Sequence, residues 1–373
     1  MIAFTILSAF VYLKSDKKLF IIGAICSLVF LAIFLCEVLL TEVNYLASDE
    51  YRYYHLSEEY IKEGNDRTLW LYVNKILKNF DLFGEFFIKL INIPLAIYFI
   101  NLINNVFDIK NRLSVFLLVP FIIVLSVSNL RDVLIWIATV HFCLSLYSLK
   151  ERVNLFSMMF WAVVLFSLRP IILFTVILLY FIVNFSNFRK SRSKSIFSVI
   201  LVSGILSSLV LFFSSYLNRV IYNGGYYLRV GLAHKAELTG FSQYFYPDNM
   251  PLTFSYASIR YIFTPLPTSI IERLFSGHFY KHGVISELVR LLHQFVYFYL
   301  LLFIFANFRK VLGMFWRLNS LHRFILLNLL AYMPVYTVYA FGGVHQRNKF
   351  PFQLALVIIY VLYKQKKKDF VTR

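Results

Sequence analysis

Long apolar runs, several of roughly 18 residues or more, follow one another along the whole chain, and short stretches dense in lysine and arginine separate them. A helix of about 20 apolar residues crosses the ~30 Å hydrocarbon of a bilayer, and in lipid each backbone amide must be satisfied within the segment. The pattern therefore predicts an all-α polytopic integral membrane protein. Charged residues make up 15% of the chain and hydrophobic ones 60%, where a soluble protein carries about 25% charge. No stretch reads as a separate soluble domain and no repeat stands out, so residues 1–373 are read as a single multi-pass membrane domain.

The net charge of +18 would point to nucleic acid in a soluble chain; here its distribution gives a different cause, and no nucleic-acid partner is expected. The basic residues gather in KSDKK (14–18), Lys110 and Arg112, KERVN (150–154), FRKSRSK (188–194), the segment 308–323 and the tail 364–373. With Asp108 beside Lys110, these clusters hold 20 of the 37 basic residues and only 4 of the 19 acids. Such asymmetry is the positive-inside signature and places the clusters on the cytoplasmic side.

With that orientation the expected spans are 1–13, 19–41, 83–106, 114–129, 133–149, a paired segment 155–187, then 196–216, 288–308, 324–341 and 346–363. This makes about eleven crossings, with the N-terminus outside and the C-terminus inside. Residues 42–82 and 217–287 become outer loops, and 364–373 a basic cytoplasmic tail. Residues 153–188 are too long for one crossing and both flanks are basic, so the run must go out and return as a helical hairpin. Its tip is SLRP (167–170), where Arg169 is the single charge between Arg152 and Arg189. Pro170 suits the first turn of the returning helix, which has no need of that amide, and Ser167 could cap it. A guanidinium beside a fresh helix N-terminus suits an anion, although Arg169 also reads as the mark of a solvated turn.

Other arginines fall on the same side. NLRDVLIW places Arg131 and Asp132 at an outer junction, either as a ligand-facing pair or as a local helix-start ion pair. SIRYIFTPLP carries Arg260 and Tyr261, and VHQRNKFPF opens the last helix with His345, Arg347 and Lys349. Arginine suits phosphate because its planar fork donates paired hydrogen bonds and keeps its charge. In LASDEYRYYH, Asp49 precedes Tyr51, Tyr53 and Tyr54, and a carboxylate there could accept a proton from a sugar hydroxyl or be a solvated loop acid. The many outer-loop rings suit sugars and equally an interfacial belt. DxD, HExxH, Walker and Gly-rich phosphate patterns are absent, so no cofactor and no obligatory metal are expected. Cys26, Cys36 and Cys143 sit in apolar runs and read as packing residues.

LASDEYRYYH, NLRDVLIW, SLRP, SIRYIFTPLP and VHQRNKFPF, in this layout, resemble the oligosaccharide repeat-unit polymerases of bacterial surface polysaccharides, the Wzy-type O-antigen polymerases and EpsG-like proteins. Arg229 and Gly240 also fit the R-x10-G spacing of outer loops in that family. The resemblance implies a GT-C-like architecture in the bacterial cytoplasmic (inner) membrane, with undecaprenyl-diphosphate-linked oligosaccharide as donor and acceptor and a chain-length regulator as partner. It implies glycosyl transfer on the periplasmic face, with no metal and with arginines holding the diphosphate. Arg131, Arg169, Arg260 and Arg347 would stabilise the leaving diphosphate, and Asp49 or His345 would orient or deprotonate the acceptor hydroxyl. Arg229, Tyr53, Asp132 and Tyr261 would hold substrate. Two alternatives stay open: an O-antigen ligase or other lipid-linked sugar transferase, and a flippase or transporter of lipid-linked oligosaccharide.

Overall fold

A computed structural model describes residues 2–40, 45–46, 48–62, 68–79, 86–148, 155–190, 250–276, 283–340 and 346–371. Eighteen α-helices and no strand occur among the described residues. The chain forms two compact units, one of Met1–Ile137, Leu266–His322 and Gln353–Arg373, the other of Ala138–Pro265 and Arg323–Phe352.

The first unit is built on α1 (Ile2–Lys14), α2 (Lys17–Leu40), α6 (Phe86–Val106) and α14 (Val284–Ala306). By length and composition Lys17–Leu40, Ile88–Val106 and Val284–Ala306 are long and apolar enough to cross a membrane. Shorter apolar helices cover Phe4–Lys14, Asp132–Tyr147, Leu155–Leu168 and Pro170–Val183. These are the helices of a membrane protein. The outward side chains of α2 suit lipid, with Ile21, Ile25 and Val29 about half exposed.

α2 packs closely on α6 at Gly23, where an added Cβ would meet Ile97 Cγ1 at 2.9 Å. A side chain at this position would have to displace Ile97, so glycine lets the Ile97 side chain pack against the α2 backbone. At one end of the unit Asn101 ties the basic segments together. It donates to Lys14 O (3.2 Å), and its Oδ1 accepts from Asp16 N (3.2 Å) and Arg112 (3.3 Å). His322 is bonded to Val106 O (2.6 Å), and Gln365 donates to Asp108 O (3.1 Å) at this same end.

Several expected segments differ. The run 114–129 is not one helix: α7 (Arg112–Leu117) and α8 (Phe121–Ser126) flank a break at Leu118–Pro120. Pro120 has no amide hydrogen, and its ring disfavours a helical residue before it. The run 324–341 is likewise split at Ala331 into α16 (Ser320–Leu330) and α17 (Tyr332–Ala340). Pro334 takes the third position of α17, where a missing amide costs nothing. The outer loop 42–82 contains α3 (Ser48–His55), α4 (Ser57–Lys62) and α5 (Thr68–Asn79). The loop 217–287 contains α12 (Met250–Phe263) and α13 (Pro267–Ser276), and the basic loop 308–323 contains α15 (Phe308–Trp316). The last helix, α18, runs Gln346–Val371, past the expected end at 363. The span 196–216 lies outside the described residues.

In the second unit α9 (Asp132–Ser148, which begins in the first unit), α10 (Leu155–Leu168) and α11 (Pro170–Lys190) carry the apolar core. The helix breaks at Arg169 and restarts with Pro170, at the expected place. Ser167 does not cap α11. Its hydroxyl turns back into α10 and donates to Val163 O (2.6 Å), because that carbonyl is one turn behind it.

Candidate functional site

The first unit gathers charge at the end opposite Asn101. Four helix ends meet there. Lys89, in the first turn of α6, pairs with Glu50 of α3 at 2.8 Å, and both side chains are 1% exposed. The Lys89 ammonium also lies over the rings of Phe34 (4.9 Å) and Tyr45 (5.7 Å). One turn along α6, buried Asn92 donates to the carbonyls of Ser128 and Leu130 (2.8 Å to the latter). Asn129 donates to Asn74 of α5 at 2.6 Å, and Asn74 is anchored to Trp70 O (2.9 Å). These side chains clamp the loop 128–130 from two helices.

That loop delivers Arg131 and Asp132. Arg131 occupies the residue before α9, its carbonyl accepting from Ile135 N (3.1 Å). Asp132 opens the helix, where a carboxylate complements the dipole. Arg131 is 2% and Asp132 5% exposed, so the guanidinium sits in a dry setting. Charges so placed act at low effective dielectric and need little reorganisation.

α14 adds a second charged group. Glu287 is buried, paired with Arg290 (2.8 Å) and Arg273 of α13 (3.4 Å). Arg290 also donates to Leu46 O (3.3 Å) and lies over the Phe121 ring (5.7 Å). The N-terminus of α14 is closed by Glu37 of α2, whose Oε1 accepts from Val284 N and from Ile285 N (3.3 Å). Further along the buried face His293 bonds Gln353 at 2.8 Å. The cluster holds five carboxylates (Glu37, Asp49, Glu50, Asp132, Glu287) and four cations (Lys89, Arg131, Arg273, Arg290), so acid–base groups and anion-binding groups occur together.

Beside Lys89 stands an aromatic group with open faces. Tyr45 Oη is 3.1 Å from His55 Nε2, and the Tyr51 and His55 rings are tilted together at 4.5 Å. Tyr54 meets His55 edge-on at 4.9 Å, and Tyr51 is 47% exposed. Burial, then the nearby Lys78 charge, hold the His55 imidazole below its ordinary pKa of 6.5.

The sequence-predicted residues divide between the units. Asp49 (8% exposed), Tyr53 (2%), Arg131 and Asp132 belong to the first. Arg169, Arg260, Tyr261 and Arg347 belong to the second. There, half-buried Arg169 lies over the Tyr336 ring of α17 at 5.5 Å. Buried Tyr261 donates to Asn348 O (3.1 Å). Lys349 is buried beneath the end of α12, donating to Arg260 O (3.3 Å), Thr264 Oγ1 (2.7 Å) and Thr264 O. Arg260 O also accepts from Thr264 N (3.0 Å) and Thr264 Oγ1 (2.6 Å), so Lys349 adds a charged donor to a helix end that Thr264 has already closed. Arg347 is half-buried in α18. His345 and Arg229 lie outside the described residues.

No family model, curated protein or solved structure matches this chain.

Glu50, Lys89, Glu287 and Arg290 escaped the sequence reading. The signal was available: Lys89 is the one charge in the apolar stretch 86–106, and Arg290 the one charge from 288 to 308. The same reasoning that singled out Arg169 applies to both.

Proposed function

We propose that the chain polymerises undecaprenyl-diphosphate-linked oligosaccharide repeat units into a surface polysaccharide, as a multi-pass glycosyltransferase of the bacterial cytoplasmic membrane acting on its outer face. One observation carries this reading. Among the described residues the ion pairs of the first unit and the Glu37 cap lie at the end that the positive-inside rule assigns to the outside: the end of α2, the starts of α6 and α14, and α3, α4, α5 and α13, with Arg131 and Asp132 at the start of α9 beside them. The basic segments 14–18, 110–112, 307–323 and 363–365 share the other end.

In this reading the buried Arg131 guanidinium stabilises charge developing on the leaving diphosphate, a role typically worth about 2–4 kcal/mol for one donor. Asp49 accepts the acceptor hydroxyl's proton as the new glycosidic bond forms and the bond to the diphosphate breaks. Tyr51 and His55 offer ring faces on which a sugar can rest. Arg169, Arg260 and Arg347 remain proposed diphosphate ligands, with about eleven crossings, a hairpin at 155–187 and a GT-C-like arrangement as the corresponding architecture.

The test is a silver-stained gel of surface polysaccharide from the native host with and without the gene. Collapse of a ladder to core plus one repeat unit supports the polymerase. Bare core with accumulated lipid-linked polymer would replace it with a ligase. Absence of both polymer and outward-facing lipid-linked units would replace it with a transporter. Complementation with Arg131→Ala should then leave the single-unit band, and Arg131→Lys should restore a faint ladder.

A further inference from the structure

The segment that the charge pattern marks as a basic loop is instead a short helix with a distinctive division of its faces. α14 ends at Ala306, and the helix breaks at Asn307, whose side chain donates to Phe303 O (2.9 Å) and accepts from Tyr363 (3.4 Å). α15 starts at once and runs nine residues, Phe308–Trp316. At about 100° per residue, Val311 and Met314 share one flank and are buried, 6% and 7% exposed. The adjoining arc carries Phe308, Leu312 and Trp316, which are 56%, 40% and 63% exposed, with Phe315 half-buried beside them. The remaining arc carries Arg309, Lys310 and, just past the end, Arg317, all exposed. Gly313 faces open space.

So α15 is seated on the protein by one flank, leaves an apolar arc uncovered, and borders that arc with cations. A helix of this pattern lies in a membrane interface, its rings among the upper acyl chains and its cations at headgroup level. It is joined without a linker to a helix long enough to span. We propose that α15 is an in-plane interfacial helix that selects anionic phospholipid headgroups through Arg309, Lys310 and Arg317. Position favours lipid over a protein partner, because the exposed arc begins where the span ends. Charge favours anionic lipid over zwitterionic, because the arc is bordered by three cations and the sequence holds no acid between Glu287 and Asp369. The inference stands whether or not the chain transfers sugars.

The experiment uses the full-length protein in lipid nanodiscs of one fixed mixture of anionic and zwitterionic phospholipid, with bromine on the acyl chains of either one or the other. Trp316 emission is read as the difference between the wild type and Trp316→Phe. Its three companions differ in setting: Trp70 and Trp136 are buried, and Trp161 is half-buried, stacked on His141 at 4.7 Å. A basic residue near an anionic surface favours anionic lipid roughly fivefold at low salt, so quenching of Trp316 should be at least about twofold stronger when the anionic lipid carries bromine. In Arg309→Gln/Lys310→Gln/Arg317→Gln the preference should fall to parity while quenching itself persists, with Trp70 and Trp136 emission unchanged. Equal quenching by both lipids in the wild type would refute headgroup selection. A preference that survives in the triple variant would refute these three residues as its source. Absence of quenching by either lipid would place a protein surface, not the membrane, on α15. The wild-type comparison decides the first and third outcomes even if the triple variant fails to fold.

Discussion

Lys89→Met is the sharpest perturbation the first unit allows. The Lys89 ammonium and the Glu50 carboxylate are 2.8 Å apart and 1% exposed. Removing the ammonium leaves a carboxylate in that setting with its paired cation gone, a loss of about 3–5 kcal/mol. The ring contacts with Phe34 and Tyr45 add about 0.5–2 kcal/mol to what is lost. Glu50→Gln strands the cation instead and should cost a similar amount. The double variant Lys89→Met/Glu50→Gln buries no charge, and its loss should be only about 1 kcal/mol. The two sites are therefore strongly non-additive: single losses of about 3 kcal/mol or more each, against about 1 for the double, leave a coupling of at least about 5 kcal/mol. At roughly 2–4 °C per kcal/mol for a unit of this size, each single variant should lower the unfolding midpoint by about 6–20 °C and the double by only a few degrees. The assay is thermal unfolding in one detergent at one scan rate, read by intrinsic fluorescence, because membrane proteins commonly unfold irreversibly. If the double variant is destabilised by the sum of the singles, or if either single matches the wild type, the buried-pair reasoning fails.

Gly283→Ala should lower the same midpoint by the equivalent of about 1–3 kcal/mol, because Gly283 has φ 76° and a Cβ there would run into the Glu37 carboxylate; an unchanged midpoint would contradict the close approach. Asn92→Leu leaves the carbonyl of Leu130 without the Asn92 donor and Ser128 O with the Leu130 amide alone, about 1–3 kcal/mol, and should cut polymer yield in the ladder assay by loosening Arg131. Tyr51→Ala removes an exposed ring of the aromatic group beside Lys89 and should raise the KM for lipid-linked acceptor several-fold with kcat little changed, in a reconstituted transfer assay. His55 should titrate below 6.5 by NMR, and Lys78→Met should move its midpoint upward. The unfolded chain takes that proton first as pH falls, so any stability linked to neutral His55 is complete above about 6.5 and declines as pH drops toward the folded value.

The apolar runs were legible because lipid demands them. α1, α2, α6, α9 and α14 begin and end within a few residues of the expected bounds, and the break at Arg169 was visible from segment length and Pro170. Pro120 and Pro334 were less obvious, since a run that is apolar on both sides of a proline keeps its hydropathy while losing its helix. The helices α3 and α4 carry mixed charge and α5 is a 12-residue amphipathic helix, all too short or too polar to register as spans, so hydropathy alone reads them as loop. The site was half legible. Asp49, Arg131 and Asp132 follow from their positions in outer segments. Glu50 does not, because what distinguishes it is Lys89 on a helix distant in sequence, and Glu287 does not, because an acid three residues before an arginine reads as an ordinary pair on a helix surface.

Glu37 and Val284 are bonded across 247 positions. At about 5–20 residues per second of synthesis, that interval is roughly 12–50 s. Throughout it α2 is already made, while the amides that its carboxylate will cover do not exist. A glutamate at the rim of a span can wait in water, one at the middle could not. Its place near the end of α2 is thus a condition for assembling the protein in the order in which the ribosome delivers it. The seating of α14 is the event that finally retires that charge.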